Sequence, residues 1–156
     1  MSAPLDYRVA TLADHVGHDF GASQPALLDQ ARISLFAECT GDRQWIHVDV
    51  DRARRESPFG TTIAHGALLL SMAVGAQFEL GVYPGDAKQV LNYGFDRVRF
   101  LAPVPAGSVL TVRVELKGVE PKGEGRWLVR LASTAYTVAE PQRPVLVAES
   151  LAMVVA

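Results

Sequence analysis

The chain reads as a single α+β domain, with helices in its first half and an antiparallel sheet in its second. Three observations carry that reading. Apolar residues recur at helical spacing after Asp29, and a nearly unbroken apolar stretch fills residues 66–80. Four runs rich in Val, Leu, Tyr and Phe then follow, separated by turn compositions. A length of 156 residues and a hydrophobic fraction of 49% suit one domain with a sizeable core. Residues 1–156 therefore read as one unit, without repeat or linker.

Each element has a local reason. The first 20 or so residues lack periodicity, and a short strand around residues 7–9 is the one element expected there. Asp29 is suited to cap a helix whose Ile33, Phe36 and Ala37 share one buried face. Gly41 stops that helix, since a residue without Cβ accepts a left-handed C-terminal conformation. Asp49 or Asp51 opens a short helix through Glu56, ended by Pro58. Residues 66–80 form the principal helix, apolar around nearly its whole circumference and so expected to be central and enclosed. Gly81 and Pro84 end it. Strands are expected at 90–100, 109–119, 127–138 and 145–154, joined as a meander by three segments rich in Pro, Gly and polar residues.

Several function classes are excluded by composition. Net charge is −2, and the densest basic cluster, Arg52-Ala53-Arg54-Arg55, is followed at once by Glu56, so no nucleic-acid surface is expected. The longest apolar run, 67–76, is broken by Ser71 and Gly75 and falls short of the roughly 20 residues that span a membrane. Asp6, Arg8, Asp14 and His15 interrupt any signal-peptide pattern, so a cytoplasmic protein is expected. Cys39 is alone; it forms no internal disulfide and reads as a small buried side chain on its helix.

Chemistry concentrates between residues 40 and 66. Thr40-Gly41-Asp42-Arg43-Gln44-Trp45-Ile46-His47 supplies a carboxylate and an imidazole, the commonest proton carriers near neutral pH. Five residues apart on one helix they would point about 140° away from each other. A loop after Gly41 lets them converge. Ser57-Pro58-Phe59-Gly60-Thr61-Thr62-Ile63-Ala64-His65-Gly66 follows, a rigid turn leading into the start of the long helix. Such a start offers unpaired N–H groups and the positive end of the helix dipole.

These segments, together with Phe36-Ala37-Glu38-Cys39 before them and Asn92-Tyr93-Gly94-Phe95-Asp96-Arg97-Val98-Arg99-Phe100 later, resemble the MaoC-like dehydratases. The family is also known as the (R)-specific or type 2 enoyl-CoA hydratases, and the chain is most similar to its nodulation protein N-like subgroup. The resemblance runs from about residue 23 to the end. Gln44-Trp45 stands where the general motif has Asn-Pro, a form typical of that subgroup. The family implies a hotdog domain, an antiparallel sheet wrapped around a long central helix. It further implies an (R)-specific hydratase adding water reversibly to trans-2-enoyl thioesters to give (3R)-hydroxyacyl-CoA. By the same resemblance Asp42 and His47 hold and activate the water, and the Gly66 N–H binds the thioester oxygen. Asp42 is assigned as principal base and His47 as the partner that orients the water and passes the proton, with the reverse division left open.

The remaining residues carry two readings each. His65 either belongs to the substrate site or packs locally at the helix entrance. Ser71 either backs up Asp42 and the water or simply packs the helix. Arg97 and Arg99 either meet coenzyme A phosphates or form a solvated strand face; Asn92 and Tyr93 line the acyl or pantetheine channel if the family geometry transfers. Trp45 is expected to pack on the catalytic loop and Trp127 in the core. The His47/His65 spacing matches no common zinc pattern and cysteine ligands are absent, so no metal is expected; the resemblance implies no cofactor either, with coenzyme A entering only as part of the substrate. The expected partners are an enoyl-CoA or enoyl-acyl-carrier-protein substrate and a second copy of the chain, as a homodimer or higher homo-oligomer. Two other functions fit the same fold: thioester hydrolysis, and acyl-thioester binding without turnover.

Overall fold

The computed structural model describes residues 3–156. A 3-10 helix over Val9–His15 is followed by two short strands, β1 (Asp19–Ala22) and β2 (Ala26–Leu28). Helices α1 (Gln30–Thr40), α2 (Trp45–Val48), α3 (Val50–Glu56) and α4 (Gly66–Glu79) come next. Strands β3 (Gln89–Phe100), β4 (Ser108–Pro121), β5 (Arg126–Thr137) and β6 (Pro144–Val155) complete the chain. Among the described residues no helix is long and apolar enough to cross a membrane.

The helix boundaries follow the capping chemistry. The Asp29 carboxylate accepts from Arg32 N–H at 2.9 Å and Asp49 from Arg52 N–H at 2.9 Å, so α1 and α3 begin where a side chain satisfies an orphan donor. Gly41 ends α1 at φ 79°, a left-handed conformation that costs a residue with a Cβ but not glycine.

All strand pairings are antiparallel, in the order β1-β4-β5-β6-β3, with β2 also paired to β4. The expected meander therefore holds for β4-β5-β6 only. β3 precedes β4 in sequence but lies at the far edge, against β6. The segment between them carries Pro103 and Pro105 and does not close a hairpin. It is tied instead to the stretch before α4: Ala64 N–H donates to the Val104 carbonyl at 2.8 Å and Ala106 N–H to the Thr62 carbonyl at 2.9 Å.

The strand expected at residues 7–9 is absent; Tyr7 is buried and its hydroxyl donates to the Val82 carbonyl at 2.6 Å. The strands that do form nearby are too short to show a period, and β1 is broken by a register shift between Asp19 and Gly21. Cys39 is exposed, because the buried face of α1 runs through Ile33 and Ala37 and position 39 falls on the opposite side.

Helix α4 packs across β4, β5 and β6. Leu68, Leu69, Ala73 and Ala76 meet Val112, Val114, Leu116, Val129, Leu131, Ala135 and Leu146 in one core. This is the hotdog arrangement, a long helix laid against a curved antiparallel sheet. Within one chain the enclosure is incomplete: Ala67, Ser71, Gly75 and Phe78 form an exposed stripe. An all-apolar circumference signals coverage without saying which chain provides it.

Candidate active site

The site forms where three segments meet: the turn after α1, the single turn α2, and the extended stretch entering α4. Gly41 reverses the chain so that Asp42 emerges toward α2. The stretch 42–47, expected as loop throughout, contains a helical turn, Trp45–Val48, that carries His47. Trp45 is covered by the Arg52 guanidinium from α3, 4.3 Å above its ring. The backbones of α2 and the α4 approach are stitched together by Ile63 N–H donating to the Ile46 carbonyl at 3.0 Å.

The expected acid/base pair does converge. A carboxylate oxygen of Asp42 and a ring nitrogen from each of His47 and His65 lie within 4.8 Å of one another. Both imidazoles are almost fully covered, with 7% of His47 and 2% of His65 exposed, whereas Asp42 is exposed. The rings stack with centroids 3.8 Å apart and an interplanar angle of 26°. His47 Nδ1 lies 2.7 Å from the Ile63 carbonyl, and His65 Nε2 lies 2.9 Å from the Asp42 carbonyl. Carbonyls only accept, so each contact assigns the proton: His47 is the Nδ1–H tautomer and His65 the Nε2–H tautomer. His47 keeps a free Nε2 lone pair. His65 Nδ1 is buried with no hydrogen-bond partner among the described residues.

Burial pushes the His47 pKa below its ordinary value and the neighbouring His65 adds to the shift; the Ile63 carbonyl and the Asp42 carboxylate oppose it. His47 is thus neutral at physiological pH, an acceptor for a water proton. The three groups are near enough to suggest a cation site, but the ring geometry argues against one. Two imidazoles stacked this closely direct their lone pairs along nearly parallel planes, and a single ion about 2.0–2.1 Å from each nitrogen cannot lie in both.

His47 and Gly66 line one cavity of about 260 Å³, with Ile63, Ala64, Leu69, Phe100, Ala102, Pro103 and Val104. Gly66 is the first residue of α4, capped by His65 without a side-chain hydrogen bond. Its N–H is among the donors a helix start leaves unpaired. A Cβ at this position would sit 3.0 Å from three ring carbons of Phe100, so glycine lets that ring approach the helix end more closely than a larger residue would.

The other expected substrate contacts lie elsewhere. Ser71 is exposed, its hydroxyl donating back to the Ala67 carbonyl at 2.9 Å. Asn92, Tyr93 and Arg99 are exposed on β3; Arg99 bonds the Val98 carbonyl, and Arg97 approaches Glu149 at 4.0 Å. None lines the His47–Gly66 cavity. Of the two readings of His65, local packing describes it best: it buttresses the His47 ring and holds the Asp42 main chain. The sequence reading missed Phe100 as a cavity wall, although it ends the quoted β3 segment, and missed the Ile63 carbonyl, which no side-chain pattern announces.

A long helix laid against an antiparallel sheet, with Asp42, His47 and His65 gathered at the helix entrance, is a hotdog fold carrying an acid/base cluster. The chain belongs to the MaoC-like dehydratase family: the model for the MaoC like domain matches residues 11–137. It is 43% identical over 148 residues to 3-hydroxyacyl-thioester dehydratase Z of Mycobacterium tuberculosis (strain ATCC 25618 / H37Rv), covering 95% of this chain and 96% of that one. It is 37% identical over 146 residues to nodulation protein N of Rhizobium leguminosarum bv. viciae, covering 94% and 90%. The unliganded R-hydratase PhaJ1 from Pseudomonas aeruginosa superposes with a TM-score of 0.72 at 29% identity, covering 89% of this chain and 81% of that one. The enzyme class is that of a hydro-lyase.

Proposed function

We propose that the protein is an (R)-specific enoyl-thioester hydratase, adding water reversibly to trans-2-enoyl-CoA to give (3R)-hydroxyacyl-CoA. The observation that carries this is the shared cavity: His47 and Gly66 line one space, with an Asp42 carboxylate oxygen within 4.8 Å of a histidine ring nitrogen. Water attacks the β-carbon and gives up a proton to Asp42, while His47 Nε2 accepts the water's second hydrogen and orients it. The electron pair moves onto the thioester oxygen, where the Gly66 N–H stabilises the enolate. One such donor is worth about 3 kcal/mol in transition-state stabilisation. The proton then returns to the α-carbon. No cofactor is needed beyond the thioester itself.

The thioester is carried on coenzyme A or on an acyl carrier protein, placing the enzyme in the cytoplasm with those pools. Arg97 and Arg99, exposed on β3, offer two cations to a phosphate-bearing tail. Among the described residues β3 pairs only with β6, so a second copy of the chain is the natural cover for its outer edge.

The test is the loss of crotonyl-CoA absorbance with purified protein, with chiral analysis of the product. Asp42→Asn and His47→Gln should each lower kcat by about a hundredfold or more. Release of free thiol instead of hydration would make the protein a thioesterase, and binding without turnover would make it an acyl-thioester binding module; either result sinks the assignment.

A further inference from the structure

A single helical turn does not hold itself, because the nucleation cost of a helix is recovered only over several turns. His47 sits on such a turn, α2. Something outside α2 must therefore fix its main chain, and the structure shows what does. Gln30, the first residue of α1, donates from Nε2 to the His47 carbonyl at 2.8 Å. Its Oε1 accepts from the Thr62 hydroxyl at 2.5 Å, and Nε2 also reaches Ser34 Oγ at 3.2 Å. The amide orientation is not arbitrary. The His47 carbonyl can only accept, so the NH2 must face it and the amide oxygen is left for Thr62.

Thr62 is 1% exposed and directly precedes Ile63, whose carbonyl takes the His47 Nδ1–H. The contacts close a circuit: Gln30 to the His47 main chain, the His47 ring to Ile63, and Thr62 back to Gln30. We infer that Gln30, anchored by Thr62, is a positioning residue that holds the His47 ring in its Nδ1–H tautomer with Nε2 toward the cavity. It touches no reacting atom. Its effect on rate is through His47, so the inference rests on the hydratase reading for its catalytic consequence but not for its structural one.

The test uses Gln30→Leu, Gln30→Glu and Thr62→Val in the full chain. Rates are measured on crotonyl-CoA, and long-range 15N correlation spectra of the His47 ring report tautomer and titration. Gln30→Leu should lower kcat by about tenfold to a hundredfold, as a misplacement near 1 Å does. KM should change far less, and the His47 ring should lose its single tautomer. Gln30→Glu sets a carboxylate against the His47 carbonyl when ionised and an O–H donor when protonated. Its rate relative to the parent should therefore rise as pH falls from about 8 to 6, since burial raises a carboxyl pKa. Thr62→Val keeps the shape, should fold even if the Gln30 variants do not, and should show a weaker version of the same ring change. Parental kcat with an unchanged His47 tautomer overturns the inference, as does a rate loss with the ring unmoved. If the parent fails to hydrate any enoyl thioester, the functional proposal falls, and the spectra alone still decide the brace.

Discussion

Gly66→Ala separates the fold from the chemistry at the helix entrance. The added Cβ would lie 3.0 Å from the Phe100 Cγ, Cδ1 and Cδ2 atoms. Carbon contacts are most favourable near 3.5–4.0 Å, so the ring must give by a few tenths of an ångström. Phe100 is 52% exposed and free to give way, which keeps the packing cost at the low end of the ~1–3 kcal/mol seen for overfilled cores. Replacing glycine by alanine at a helical position returns up to ~1 kcal/mol. The two nearly cancel, and the melting temperature should move little. The cavity has no such offset, because Phe100 and Gly66 line it together. A misplacement near 1 Å costs about a hundredfold in rate, or ~2.7 kcal/mol of barrier, and a shift of a few tenths costs a fraction of that. Initial rates on crotonyl-CoA at saturation should therefore fall roughly three- to tenfold with the protein still folded by calorimetry. Phe100→Leu in the same variant should restore part of the rate by freeing the space. Parental kcat in Gly66→Ala, or a loss matched by an equal loss of folded protein, would refute this reasoning.

Three other outcomes are expected. The depressed pKa of His47 means that below about pH 6.5 the unfolded chain binds a proton the folded chain does not, so stability should fall as pH drops through that window and level off below the folded value. A melting series should show this slope, and His47→Gln should flatten it. Gln77 is buried between α4 and the sheet, donating to Ser133 Oγ at 3.1 Å and Ser150 Oγ at 2.8 Å and accepting from Tyr83 at 2.7 Å. Gln77→Leu orphans three hydroxyls and should cost about 3 kcal/mol in denaturant unfolding. Leu91, Tyr93 and Phe95 are exposed along β3, and sedimentation should find a dimer that Tyr93→Lys with Phe95→Lys dissociates; a parental monomer at micromolar concentration would count against the paired edge.

The parts legible in the sequence were those whose cause is local. Asp29, Gly41 and Asp49 mark their helix ends because capping is a matter of a few adjacent residues. The strands β3 to β6 appear within two residues of expectation at every end. What was not legible depends on distant partners. β3 lies beside β6 because the proline-bearing link to β4 is held by residues 62–64, and no pattern inside β3 encodes that. The approach of Asp42 to His47 was inferable from the glycine between helix and motif. The hold on the pair was not: it comes from the Ile63 carbonyl, the amide of Gln30 and the imidazole of His65. The exposed stripe of α4 looked enclosed because hydropathy records the need for a cover and not its source.

The same geometry bears on which group takes the proton in the proposed reaction. Attack of water places a negative charge on the thioester oxygen, beside Gly66. If His47 were the base, a buried imidazolium would form at the same moment, stacked 3.8 Å from His65, in surroundings that already disfavour its charged form. Two new charges would appear where there were none. If Asp42 is the base, its carboxylate is neutralised as the oxygen becomes charged, so the negative charge is relocated without an increase in net charge. Around the buried His47 ring, where a charge is costly to create, the second course is the one the electrostatics favour. His47 then serves best as it stands, a neutral acceptor that aims the water, and its depressed pKa is what keeps it so. Raising that pKa, by opening its cover, should slow the reaction at pH 6 more than at pH 8 even though it makes His47 the stronger base.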